Sequence, residues 1–187
     1  MKTTTITIQG VTPLLMHNGR LADPLDPAAK AIAAISKKRS KTDEDHYALR
    51  KAEWYGSLYT DSDGEPCIPG ECIEACLVDG AKRYKLGKAS KGGIIIDDDV
   101  KIQYKGPKNI DKLWDDGGYI KVAGVKVQRN RVIRSRPMFP EWSLTFDVLW
   151  DEFAIEDEDR LFEIVESAGR CGLGDWRPKF GRFELVE

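Results

Sequence analysis

The residues best suited to chemistry lie close together near the end of the sequence, between Gly169 and Phe183. Glycine lets backbone N–H groups approach a ligand closely, and arginine presents a fork that matches phosphate geometry. Aromatic side chains such as Trp176 can stack on bases. The segment therefore indicates a loop that grips a nucleic acid by its backbone. The alternative is a glycine C-cap followed by a turn into an edge strand. The candidate contacts are Gly172, Gly174, Trp176, Arg177, Lys179, Phe180 and Arg182.

The charges are segregated along the chain, although the formal net charge is only −2. Residues 82–136 contain fifteen Lys and Arg against six Asp and Glu, whereas residues 1–81 and 137–187 are net acidic. Local potential rather than total charge determines where a polyanion docks. Residues 82–91 alone are best explained as a solvated charged face. Residues 121–136 have six basic residues and no acidic one, which favours binding. These candidates are Lys121, Lys126, Arg129, Arg131, Arg134 and Arg136.

Three other residues are candidates for RNA cleavage. Asp23 and Asp26 are spaced to hold Mg²⁺, with water and phosphate completing its shell, but aspartates before proline more often cap helices and turns. His17 is the candidate general acid or base, and a structural histidine is the alternative. The sequence contains no Ser/His/Asp set, P-loop or paired metal-ligand motif. We therefore predict a non-catalytic protein with no cofactor and no metal.

The composition, with 41% hydrophobic and 32% charged residues, is typical of a soluble globular protein. The chain of 187 residues fits a single domain. It has no apolar run long enough for a membrane span and no signal-peptide pattern, which predicts a cytoplasmic protein of a bacterium or a phage-infected host. The four cysteines lack CxxC spacing and there are two histidines, so we expect no zinc site.

Hydrophobic periodicity predicts the elements that position these residues. Residues 88–93 are expected to be flexible because of their composition. A capping box begins the second helix, and a proline begins the first. The predicted helices cover residues 28–35, 42–54, 69–80 and 161–168, and the predicted strands cover residues 3–10, 94–104, 119–128, 131–138, 143–150 and 180–186.

Without the basic middle, these elements follow the order of a ferredoxin-like split βαβ layout. We therefore predict an α+β fold. It consists of one RRM-like domain over residues 1–187, with an inserted basic β-hairpin within residues 86–138.

Three segments in order resemble the RAMP superfamily, the RRM-like subunits of CRISPR effector complexes. Residues 8–14 (IQGVTPL) resemble its first strand, and residues 67–73 (CIPGECI) resemble the helix entry of its backbone subunits. Residues 172–174 (GLG) with 180–183 (FGRF) resemble its C-terminal glycine-rich loop. At the positions of Glu71 and Glu74, the family often has a serine and a basic residue, so this chain departs from the pattern there. A small phage-encoded relative fits the resemblance as well as a CRISPR subunit does.

The resemblance implies an RRM-like fold that binds single-stranded nucleic acid through its backbone and polymerises along it. Residues 92–136 match the family's hairpin "thumb" in position and charge. We accordingly predict a non-catalytic, sequence-tolerant binder of single-stranded RNA or DNA that assembles head to tail. One alternative is an endoribonuclease that uses a metal at Asp23 and Asp26, or His17. The other is a phage-encoded inhibitor that mimics a CRISPR subunit and docks through acidic residues 151–159.

Overall fold

The computed structural model describes residues 1–127 and 129–186, and its fold is α+β, as the sequence predicts. The predicted strand over residues 119–128 ends at Gln128, which lies outside the described residues. The strands are β1 (Lys2–Gly10), β2 (Leu14–Leu15), β3 (Cys67–Ile68), β4 (Ile94–Ile95), β5 (Val100–Lys101), β6 (Ile120–Val127), β7 (Asn130–Phe139), β8 (Ser143–Trp150) and β9 (Phe183–Val186). The α-helices are α1 (Pro27–Ser36), α2 (Asp43–Ser57), α3 (Gly70–Ala81), α4 (Gly87–Gly93), α5 (Ile110–Asp116), α6 (Glu152–Ile155) and α7 (Glu158–Cys171).

The main sheet has the strand order β4-β8-β1-β9, and every neighbouring pair is antiparallel. β1 pairs with β8 along its length, from Lys2 opposite Trp150 to Gln9 opposite Ser143. Successive side chains of a strand point to opposite faces. Ile6 and Ile8 therefore enter the core while Thr5 lies on the exposed face.

Helices α3 and α7 cover the buried face of this sheet and supply much of the core. The predicted stripe of Leu161, Ile164, Val165 and Ala168 is buried, as expected for an amphipathic helix. The two helices approach closely because Gly80 has no side chain. A methyl group at Gly80 would lie 2.5 Å from the carbonyl oxygen of Ile164.

β6 and β7 form a long antiparallel hairpin, whose inner end also pairs with β2. Helix α2 packs against β7, and Trp54 Nε1 donates a 2.9 Å hydrogen bond to the carbonyl of Tyr119 at the base of the hairpin. The predicted capping box of α2 is present, since Thr42 and Asp45 exchange side-chain-to-backbone hydrogen bonds. The hairpin is therefore attached to the body at its base.

The structure corrects two predictions within residues 86–138. Residues 88–93, expected to be flexible, lie in α4 (Gly87–Gly93), which packs against α3 and α6. The predicted strand over residues 94–104 is broken into β4 and β5, which belong to different sheets. Because β4 is an edge strand of the main sheet, the predicted insertion contains one strand of the core as well as the basic hairpin.

Each helix within residues 1–127 and 129–186 is too short or too polar to cross a membrane.

The close approach of α3 to α7 leads to a stability prediction. Gly80→Ala should lower the free energy of unfolding by about 1–3 kcal/mol, because the methyl group overpacks the helix interface. The matched control is Gly92→Ala in α4, where a methyl group would meet open space. It should be neutral or stabilising by up to about 1 kcal/mol, because alanine favours a helix. Chemical denaturation measures both, and equal stability of the two variants would contradict the packing assignment.

Candidate nucleic-acid interface

The glycine-rich loop after α7 is held by hydrogen bonds to the protein's own backbone. The N–H of Leu173 donates to Gly181, that of Gly181 to Pro13 and that of Asp175 to Leu15, at 2.8 to 2.9 Å. Gly172, Gly174 and Gly181 have φ values between 73° and 83°, a region that favours glycine. These contacts give the glycines a structural role, in line with the alternative of a C-cap followed by a turn.

Gly174 also permits a close approach between the loop and β2. A methyl group at Gly174 would lie 2.3 Å from the carbonyl oxygen of Leu15. Cys76 supports the loop from α3, since its Sγ donates to the carbonyl of Gly172 over 3.3 Å. Burial raises the pKa of Cys76 to about 12, so this thiol stays protonated at neutral pH. The backbone of the loop is thus directed inward, while the side chains of Arg177 and Lys179 are exposed.

The aromatic residues of the loop meet the basic hairpin. Phe180 is buried, with 9% of its surface exposed, and lies edge-on to the half-buried Trp176 at a centroid distance of 6.1 Å. The ammonium groups of Lys121 in β6 and Lys179 in the loop each lie 5.9 Å from the centre of the Phe180 ring. The structure therefore brings two predicted binding segments together at Phe180, and Trp176 is the more accessible aromatic.

The six basic residues of the hairpin fall into two groups by burial. Arg136 is 8% exposed; its Nε lies 3.2 Å from Asp175 of the glycine loop, and its guanidinium also reaches Ser57. Arg134 forms a 2.5 Å ion pair with Glu53, a buried residue of α2. These two arginines attach the hairpin to the body.

Lys126, Arg129 and Arg131 form the second group, at the outer end of the hairpin. All three are exposed, and within residues 1–127 and 129–186 none has an ion-pair partner. Lys126 is opposite Arg131 in the antiparallel register, so both point to the same face. The same face carries Ile133, which is 49% exposed. The tip of the hairpin thus combines exposed cations with apolar surface.

The remaining loop cations are also on the surface. Arg177 is exposed and pairs with Asp79 of α3 at 3.2 Å. Lys179 is exposed beside Phe180, and Arg182 is exposed while its backbone N–H donates to Thr12 Oγ1 over 2.9 Å. With Lys121, they extend a positive surface from the hairpin to the loop.

His17 lies at the edge of a polar network at the base of the hairpin. Its Nδ1 is 3.5 Å from Ser57 Oγ, which Arg136 also approaches. Although the residue is exposed overall, partial desolvation of the ring lowers the pKa of His17 below its ordinary value, and the positive charge of Arg136 adds to the effect. The neutral imidazole is therefore favoured at neutral pH. This network also contains Glu53 and Asp175.

Asp23 and Asp26 make capping contacts. Asp23 Oδ1 accepts from the N–H of Leu25 at 2.8 Å, and Asp26 is the N-cap of α1, accepting from Ala28 at 2.7 Å. These contacts correspond to the capping interpretation of the two aspartates. The part of the chain that the structure describes contains no group of three or more His, Cys, Asp or Glu side chains placed to hold a metal ion.

The exposed face of the main sheet is polar and acidic. β1 presents Thr3 and Thr5 there, and β8 presents Thr145 and Asp147. These residues line a groove, and Asp97–Asp99 lies along the same groove. Thr5 Oγ1 donates to Asp147 over 2.5 Å. Lys101 also lines this groove but is paired with Asp61 and Asp63, so the unpaired positive charge lies beside the sheet, on the hairpin and the loop.

Two buried side chains that organise the interface, Glu53 and Ser57, were missed by the sequence reasoning. Both lie near the end of α2, where Glu53 looks like the other charged residues of this helix and Ser57 is its last residue. Their burial depends on β7, which is about eighty positions away in the chain. A local pattern carries no signal for that contact.

The sequence matches neither a protein-family model nor a curated protein. The side-chain geometry therefore carries the assignment of the site.

The difference in burial between Arg136 and Arg131 leads to a prediction about stability. Arg136→Met should lower the free energy of unfolding by about 1–3 kcal/mol, because Asp175 and Ser57 lose a largely buried donor. The matched control, Arg131→Met, removes the same group from an exposed position and should change stability by less than about 0.5 kcal/mol. Urea denaturation provides the comparison. If the two variants are equally stable, Arg136 does not anchor the hairpin.

Proposed function

We propose that the protein binds single-stranded nucleic acid, largely independently of sequence and without cleaving it. The observation that carries the proposal is the hairpin tip, where Lys126, Arg129 and Arg131 are exposed beside the apolar surface of Val122 and Ile133. Basic side chains neutralise phosphates without reading bases, and apolar or aromatic groups contact the faces of unpaired bases.

The proposed path of the strand runs from the hairpin tip to the glycine-rich loop. Lys121 links the two segments through its contact with Phe180, and Trp176 offers a half-exposed ring beside it. Stacking of one base on Trp176 would contribute about 1–3 kcal/mol. Arg177, Lys179 and Arg182 supply phosphate contacts at this end. Since no step of the proposal requires bond cleavage, Asp23, Asp26 and His17 have no catalytic part in it.

We infer a ferredoxin-like, RRM-like core from the connectivity of the main sheet. The chain passes through β1, α3, β4, β8, α7 and β9, and the strand order β4-β8-β1-β9 is compatible with a split βαβ arrangement. The basic hairpin is inserted between β4 and β8. This layout supports the resemblance to the RAMP superfamily.

The route differs from the usual one for an RRM, in which bases stack on aromatic residues of the open sheet face. Here the open face presents threonines together with Asp147, and Asp97–Asp99 lies beside it. Carboxylates repel a phosphate backbone, so the sheet face disfavours the strand and the hairpin attracts it.

Head-to-tail assembly along the strand is the second part of the proposal. Phe153 in α6 is 93% exposed and lies within the acidic segment of residues 151–159. An exposed aromatic side chain with a charged rim is typical of a protein-interaction site. The segment packs near α4 and the hairpin packs against α2, so the two belong to different parts of the molecule. We propose that the hairpin of one copy contacts the acidic segment of the next. A contact of this heterologous kind generates open filaments.

The binding proposal is tested by replacing Lys126, Arg129 and Arg131 with alanine. Affinity for every single-stranded oligonucleotide should fall, and the slope of log affinity against log salt should become shallower by about 2, since each phosphate contact contributes about 0.7. The measurement is fluorescence anisotropy with matched RNA and DNA 20-mers at several salt concentrations. The control replaces Arg83, Lys88 and Lys91, which are equally exposed, and should bind like the wild type. Equal loss in both triple variants would refute a specific role of the hairpin.

Assembly is tested with Phe153→Ser. On a 60-mer the wild-type protein should load several copies, whereas the variant should load fewer at equal concentration and bind a 10-mer normally. Leu25→Ser is the matched control, because Leu25 is 72% exposed and lies outside the acidic segment. Mass photometry counts the copies. A wild-type count of one per 60-mer at saturation would exclude assembly and leave the binding proposal intact.

A further inference from the structure

A groove of about 340 Å³ opens between α1 and the base of the hairpin. One wall is apolar and is formed by Leu21 together with Ala29, Ile32 and Ala33 of α1. Every residue of α1 is at least partly exposed, because the helix packs on α2 and leaves this part of its surface open to the groove. A helix as apolar as α1 gains stability when its open face is covered by an apolar group.

The opposite wall is polar and carries both signs of charge. Arg134 and Arg136 come from β7, Glu53 comes from α2, and His17 lies at the rim. Glu53 accepts from Arg134 and from the N–H of Ser135, and Arg136 is paired with Asp175. The charges of the two arginines are thus balanced by two carboxylates, and His17 favours its neutral form.

This balance argues against a phosphate in the groove. A free anion would meet the Glu53 carboxylate as well as the arginines, so its binding would gain little from charge. A flat group with apolar faces and a hydrogen-bonding edge matches both walls. A nucleobase has this chemistry, since its faces can lie on Ile32 and Ala33 while its edge meets the guanidinium of Arg134.

Arg134 retains donors for such an edge. Its Nη1 is committed to Glu53, the side chain is one-third exposed, and a guanidinium has five N–H groups. Arg134 and Arg131 lie on the same strand, about 10 Å apart at about 3.3 Å per residue, and they lie on opposite faces of the hairpin because three residues separate them. β2 pairs with β7 only at Met138 and Phe139, so within the described residues the outer part of β7 is a sheet edge, and a strand held by phosphate contacts at Arg131 can cross this edge to reach the groove.

We propose that this groove binds one nucleobase of the single strand that the hairpin holds. The inference rests on the proposed function and adds a site to it. Phosphates would be bound at the hairpin tip, and one base would leave the strand to lie between α1 and β7. Because the contacts are mainly apolar, the groove accepts any base.

The test fills the groove without changing any charge. Ala33→Leu places a larger side chain on the apolar wall, and the matched control Ala34→Leu adds the same atoms on the exposed side of α1. Fluorescence anisotropy measures the affinity for two 12-mers, one of thymidine and one in which every base is absent. We expect Ala33→Leu to weaken binding of the thymidine 12-mer about tenfold, within the range of a lost base contact, and to leave binding of the abasic 12-mer unchanged. Ala34→Leu should match the wild type with both.

The outcomes separate the two proposals. If the wild type binds neither 12-mer, the proposed function itself fails. If the wild type binds and Ala33→Leu behaves identically, or weakens both 12-mers equally, the groove does not hold a base. Circular dichroism checks the fold of each variant. Should Ala33→Leu fail to fold, Ile32→Ala removes the base contact by shortening the wall, and the same selective loss on the thymidine 12-mer is required of it.

Discussion

The pairing of β1 with both β8 and β9 is the constraint on which the rest of the structure depends. It makes the first strand of the chain a central strand of the main sheet, with the last strand at its side. The glycine-rich loop immediately precedes β9, so this pairing carries the loop to the residues that follow β1. Those residues lead into β2, which pairs with the base of the hairpin. The proposed interface is therefore assembled from segments that are far apart in sequence.

Close backbone approaches maintain this arrangement. A methyl group at Gly169 would lie 2.1 Å from the carbonyl oxygen of Phe183, so α7 and β9 come together because the helix has no side chain there. The loop then makes its own backbone hydrogen bonds to Pro13 and Leu15. Rigid support of this kind fixes the position of the outward side chains, which is what a binding surface requires.

The strand β7 shows how one run of basic residues serves two purposes. Arg136 and Arg134 are directed into the body and meet carboxylates, whereas Arg131 lies at the exposed end. Burying an arginine is favourable only when its charge and donors are satisfied, and Asp175 and Glu53 satisfy them. The exposed cations are free of that requirement. Charge density in the sequence thus overstates the number of cations that are available to a ligand.

The sequence predicted well those elements whose signals are local. The capping box at Thr42, the stripe of α7 and the alternation of β1 each encode their own structure within a few residues. The helix α4 was missed because its glycine-rich, polar composition opposes a helix. Its packing against α6, where Gly93 closely approaches Ala154, outweighs that preference.

The burial of Arg136 could not be predicted for a related reason. Its partner Asp175 is 39 positions away, in a segment whose glycine, basic and aromatic residues stand out in the sequence and whose single aspartate does not. The juxtaposition of Lys121 with Phe180 has the same origin, since it depends on how the hairpin meets the loop. Residue types suggested the chemistry of this surface, and tertiary pairing decided which of the residues are exposed.

The short edges of the main sheet limit how copies of the protein can associate. An edge strand with free backbone groups invites another chain to extend the sheet. Here β4 spans only Ile94–Ile95 and is followed by the exposed aspartates of Asp97–Asp99, while β9 at the other edge carries the outward-facing Glu184. Strand addition at either edge would bring carboxylates against the incoming chain. The main sheet is therefore protected from the strand addition between copies that leads to uncontrolled sheet growth.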